Sequence, residues 1–223
     1  MKTKIMRFGL WIVGIIFTII FTFGVKTQMN LIIPMVIFVY LLKDKIKNYL
    51  IRFSLRTSFI GSGLVFGLLT EVFAIWSNIT VPLKERALLN PYPLPDLILA
   101  FFWYGLFVVV WYFLLKKYNY TKKEIFLLAG MYGLVFEQKG IFLLNMFTSL
   151  GGLIIGLFIM AVYAIFPILA YMITEHRFPV RKNSLFLVRW LVALLALLSH
   201  DVIWWVCGLI YYPILQKLGL LIL

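Results

Sequence analysis

Two glutamates and a histidine lie inside runs of sequence that are otherwise strongly apolar: Glu71 in residues 57–81, Glu137 in 125–147 and His200 in 185–207. An ionisable side chain near the middle of a bilayer costs at least ~2.5 kcal/mol on insertion scales unless partners or water compensate it. Such a residue has a job or a partner. Two carboxyls held in different surroundings can divide general-acid and general-base work, and a neutral imidazole beside them can carry a proton or bind a metal. Proton transfer, hydration and hydrolysis are the reactions that this set suits.

Spacing says which way these groups point. Gly63, Gly67 and Glu71 are four apart, and Asn78 follows seven later on the same side of a helix. Glycines at this interval let helices approach closely, so Glu71 is expected to face protein rather than lipid. Gly130, Gly133, Glu137, Gly140 and Asn145 likewise fall on one side of the 125–147 run. Counted from the inner ends at 1.5 Å per residue, Glu71 lies at ~21 Å, Glu137 at ~18 Å and His200 at ~22 Å. These levels predict one polar site in the outer half of the bilayer, with Glu71, Glu137 and His200 as the catalytic candidates. Asn78, Asn145 and Asp201 are the candidate supporting groups. Lys139 joins them as a charge that projects away from Glu137, towards an acid on another helix or outward. The same pattern also suits a structural role, in which a protonated carboxyl on a glycine face is clamped to a neighbouring helix.

The elements that must hold these groups follow from composition. Of the 223 residues 64% are hydrophobic and the mean hydropathy is +1.03, against the roughly 45–50% apolar usage of soluble domains. The chain is read as an all-α, polytopic bundle of about seven transmembrane helices, at residues 8–25, 31–42, 57–81, 97–115, 125–147, 153–173 and 185–207. The second run is short: its strictly apolar part covers ~18 Å of a ~30 Å core, so it must borrow flanking residues, thin the bilayer or be re-entrant. The first run has the layout of a signal peptide but ends Thr22, Phe23, Gly24, Val25, Lys26, with no small-x-small cleavage site, so it is read as retained. With no long linker, low-complexity tract or internal repeat, residues 1–223 are assigned to one domain.

Basic residues give the orientation. Seven crossings with the amino end inside leave 15 Lys and Arg in cytoplasmic segments and 4 outside, with Lys139 and Arg189 inside spans. The expected location is a plasma or inner membrane, with the carboxyl end outside. Arg189 is expected to snorkel to the cytoplasmic headgroups. Trp76, Trp103, Trp204 and Trp205 are expected at the outer interface. The loop at 82–96 carries four prolines and is expected to form a stiff outer cap.

The formal net charge of +13 would suit nucleic acid, but the bases sit in short loops between apolar runs, so no nucleic-acid partner is assigned. The partners expected are the lipid bilayer and a lipid-soluble small molecule. One cysteine, Cys207, excludes an internal disulfide and a Cys-based cluster, and two histidines exclude a site of several His ligands. The sequence names no cofactor. The paired-glutamate and multi-histidine patterns of intramembrane metalloproteases, Asp-rich prenyl-diphosphate motifs and a Gly-x-Ser-x-Gly turn are all absent. The order of Glu71, a proline-rich outer loop and an aromatic fourth span resembles membrane carotenoid hydratases at a handful of positions, and no residue role is taken from it. The leading expectation is a membrane-embedded enzyme acting on a lipid, isoprenoid or carotenoid-like substrate by acid–base chemistry. A proton- or cation-coupled transporter or channel and a non-catalytic assembly protein use the same residue types.

Overall fold

The computed structural model describes residues 2–24, 27–179 and 185–219. Val25, at the end of the first expected span, and the bases Lys26, Arg181 and Lys182 lie outside these residues. Among the described residues eight α-helices follow one another: α1 Lys2–Ile19, α2 Ile32–Leu50, α3 Leu55–Asn78, α4 Pro93–Lys117, α5 Lys122–Tyr132, α6 Ile141–Asn145, α7 Leu150–Thr174 and α8 Phe186–Lys217. The protein is an all-α membrane bundle.

Five segments are long and apolar enough to cross a bilayer: Lys4–Gly24, Leu55–Asn78, Pro93–Lys117, Leu150–Arg177 and Phe186–Lys217. The second and fifth expected spans differ from these. Helix α2 continues past its apolar run through Lys43, Asp44, Lys45 and Lys47 to Leu50, a length of about 28 Å. The 125–147 run is not one helix. It is interrupted after Tyr132 by a π-turn, Gly133–Glu137, and resumes only as the short α6.

Helix starts follow local chemistry. Ser54 accepts from Thr57 N at the head of α3, and Ser149 accepts from Gly152 N at the head of α7. At α5 a full capping box forms, Thr121 Oγ1 accepting from Glu124 N and Glu124 Oε2 from Thr121 N. Helix α4 opens on Pro93, where a missing N–H does no harm.

The core lies where α3, α4, α5 and α7 meet, with Phe59, Phe107, Trp111 and Phe166 fully enclosed. Lipid is as apolar as these side chains, so close packing rather than burial holds the helices together. Helix α1 stands apart and packs on α2 through Trp11 and Phe38, with Arg7 donating to Leu41 O at 2.7 Å.

Three expectations change here. Trp103 does not sit at an interface: it is 4% exposed, stacked on Phe107 with ring centroids 5.1 Å apart. Arg189 does not snorkel, because its guanidinium pairs with Glu124 of α5 at 2.7 Å. The 82–96 loop ends earlier than its prolines suggest, since Pro95 and Asp96 already belong to α4.

Candidate functional site

The glycine face of α3 packs on α4. A methyl group on Gly63 would meet Val108 Cγ1 at 2.7 Å, and one on Gly67 would meet the Tyr104 ring at 2.6 Å. Tyr104 therefore lies across Gly67, and its hydroxyl donates to Glu71 Oε2 at 2.9 Å. The Asp96 carboxyl, from the first turn of α4, stands beside Glu71. Its Oδ1 accepts from Asn90 N at 2.8 Å, and the buried carboxyl also lies against the Leu89 backbone and the Glu71 side chain. Two carboxylates side by side repel, and a single proton shared between them lets an oxygen of one donate to the other.

Glu137 is placed by the break in the fifth span. Gly130 and Gly133 lie against Met160 and Tyr163 of α7, so close that a side chain on either would collide. The backbone then widens into the π-turn, closed by Gln138 N donating to Gly133 O at 2.9 Å. Lys139 and Gly140 take the left-handed region, with φ of 52° and 72°. A π-turn puts residues five apart on one side, which brings the Tyr132 hydroxyl within 3.3 Å of Glu137 Oε1. The same hydroxyl is 3.0 Å from His200 Nδ1 and touches Asp201 Oδ1. His200 is wholly enclosed, its Nε2 3.3 Å from the Trp103 carbonyl and its ring edge-on to the Trp103 indole.

Glu71 and Glu137 line one cavity of about 470 Å³ between α3, α4, the π-turn and α7, within the ~300–1,000 Å³ common for small-molecule sites. Tyr163 stands in the electrostatic field of both glutamates, and its hydroxyl accepts from Gln138 Nε2 at 3.1 Å. Trp103, Phe158 and Val162 supply apolar wall, and no lining residue is Lys or Arg. Residues 87–89 form the rim. Arg86 ties this loop down by donating to Val81, Pro91 and Ile79 carbonyls at 3.0, 2.7 and 3.1 Å.

The remaining candidates divide. Asn78 lines the cavity and also anchors the loop, its Oδ1 accepting from Ala87 N at 3.1 Å. His200 and Asp201 stand behind Glu137. Asn145 and Lys139 are exposed and do not line the cavity: once the helix breaks, the side that Asn145 was to share with Glu137 no longer exists, while Lys139 lies outward, one of the two directions expected for it. Among the described residues no group of three or more His, Cys, Asp or Glu is arranged to hold a metal ion.

Sequence reasoning did not single out Tyr132, Tyr104, Tyr163, Gln138 or Asp96 for the site. Two signals pointed to some of them: Trp103, Phe107 and Trp111 are spaced by four, marking the buried stripe of α4 beside Tyr104, and Gln138-Lys139 inside an apolar run marks a break. The chain matches no family model, and no curated protein or solved structure is similar to it.

Proposed function

We propose that the protein is a membrane-embedded enzyme that performs acid–base chemistry on a lipid-soluble substrate, of lipid, isoprenoid or carotenoid-like character. The observation that supports this is the shared cavity: two carboxyls from different helices face one space whose walls are otherwise mainly apolar and aromatic. An apolar molecule fits such walls, and polar groups fix its reacting end. Glu71, able to share a proton with Asp96 and held by Tyr104, is the general acid. Glu137, backed by Tyr132 and His200, is the general base. The net distribution of basic residues supports an orientation with the amino end in the cytoplasm, the 79–92 loop outside and the cavity in the outer half of the bilayer.

The broken fifth span gives a second reading, because discontinuous helices also build the midplane sites of carriers. In that reading Glu137 binds a proton in exchange with a small solute. One experiment separates the two. Membrane lipid extracts from cells making the wild type, Glu71→Gln or Glu137→Gln at matched levels are compared by untargeted mass spectrometry. The enzyme reading expects a lipid or isoprenoid species that changes with the wild type and with neither variant. Identical extracts from three folded proteins overturn it, and proton-coupled flux in liposomes then tests the carrier.

A further inference from the structure

The Tyr132 hydroxyl has more partners than a phenol can serve as donor. It lies within reach of Glu137 Oε1, His200 Nδ1 and Asp201 Oδ1, yet it owns one proton and otherwise can only accept. The opposite side of the histidine constrains the count. His200 Nε2 faces the Trp103 carbonyl, an obligate acceptor, so Nε2 carries hydrogen. If the ring is neutral, Nδ1 takes the Tyr132 proton, and both carboxylates would then point lone pairs at a phenol oxygen with nothing left to give. If the ring is charged, Nδ1–H points to Tyr132, with Asp201 also at 3.3 Å, and the ring itself holds the extra proton. In either arrangement the cluster stores at least one proton beyond those of the phenol and Nε2.

We infer that Tyr132 is the hub of a proton relay that joins Glu137 at the cavity wall to Asp201 on α8, with His200 as the adjoining store. The two ends lie in different surroundings. Glu137 lines the cavity, whereas the Asp201 side chain is 33% exposed on α8, and His200 between them is closed off at 0%. A proton leaves the Glu137 carboxyl for the Tyr132 oxygen as the phenol's own proton passes to the Asp201 carboxylate. The net change is Glu137 deprotonated and Asp201 protonated, with no bond to carbon altered and nothing oxidised. The groups facing this cluster are Trp103 from α4 and Tyr163 from α7, with Glu71 across the cavity. The role assigned, resetting Glu137 between turnovers, rests on the acid–base reading given above. Tyr132 is then a proton-transfer residue that need not touch substrate.

The test needs no substrate. Infrared spectra of the purified full chain in lipid nanodiscs report protonated carboxyls directly, and transfer into heavy water times their exchange. The wild type should show a protonated-carboxyl band that Glu137→Gln or Asp201→Asn removes or shifts. Tyr132→Phe keeps the ring against Phe107 and should slow exchange at Glu137 by about a hundredfold, the low end of what a positioned proton-transfer group contributes. Asp201→Asn, on the more open face of α8, should slow it similarly and serves if Tyr132→Phe misfolds. Exchange in both variants at the wild-type rate overturns the relay, as does a wild type with an uncharged His200 whose protonated-carboxyl band is left unchanged by both Glu137→Gln and Asp201→Asn. A normal exchange rate beside a clear lipid change removes the relay and leaves the enzyme standing. Slowed exchange beside unchanged lipids does the reverse.

Discussion

Glu124 uses its two carboxyl oxygens for different purposes, Oε2 closing the N-terminus of α5 on Thr121 N and Oε1 accepting from Arg189 of α8. Burial alone pushes this carboxyl up, but the Thr121 backbone and hydroxyl groups and the Arg189 guanidinium outweigh it and hold Glu124 below the ordinary value of 4.5. A carboxyl lowered by folding stabilises the native state above its unfolded value, and the contribution is lost as pH falls through the folded value. Glu124→Gln should therefore be less stable than the wild type by ~1–3 kcal/mol near neutral pH. The gap should close on acidification through and below 4.5. Unfolding in detergent or bilayers across this range checks it, and a gap that stays constant argues that the charge contributes nothing. The pair also shows why single residues were only half legible. Glu124 and Arg189 are 65 positions apart, and snorkelling is what an arginine does when its own helix is all that can be seen. Tyr132 was hidden for a similar reason: five residues from Glu137, it falls off that residue's side in an α-helix and returns to it only through a π-turn.

Elements meet here through glycine. Because lipid offers no hydrophobic gain for helix association, contact distance decides which faces pair, and of the two glycines that meet α7 here, Gly130 and Gly133, it is Gly133, at the start of the π-turn, that lies closer to its neighbour, Tyr163. Gly133→Ala should push Tyr163 away, loosen its hydrogen bond from Gln138 and destabilise the bundle by ~1–3 kcal/mol. Gly105→Ala is the control. Nothing lies within 4 Å of its new methyl, so it should be neutral or gain the ~0.5–1 kcal/mol by which Ala exceeds Gly inside a helix. Equal effects from the two substitutions would show that the close approach carries no energy. The glycine spacing of α3 made its α4-facing side readable from sequence, since one period ran unbroken from Gly63 to Glu71. The same rule applied to residues 125–147 carried Gly140 and Asn145 across a break, because periodicity holds only while the helix does. Gly140, at a φ of 72°, is where the chain turns out of that period.

At the scale of the whole molecule, the apolar runs were enough to predict a helical membrane bundle, while the partners of each helix were not in the sequence at all. Trp103 illustrates the difference: its depth suggested an interface, and its face, packed on Tyr163 and Phe166 of α7 and on His200 of α8, puts it in the core. Orientation is a separate property, carried by charge outside the packed region. Basic residues resist translocation, so the segment around Lys116, Lys117, Lys122 and Lys123 should remain cytoplasmic and the 79–92 loop at the cavity rim should face outward. The single cysteine makes this measurable. In a Cys207→Ser background, Lys84→Cys and Lys123→Cys replace exposed side chains on the two sides. A membrane-impermeant maleimide should label Lys84→Cys in intact cells and Lys123→Cys only after permeabilisation. The reverse pattern would turn the bundle over, and the cavity would then draw its protons, and any polar product it releases, from the cytoplasmic side.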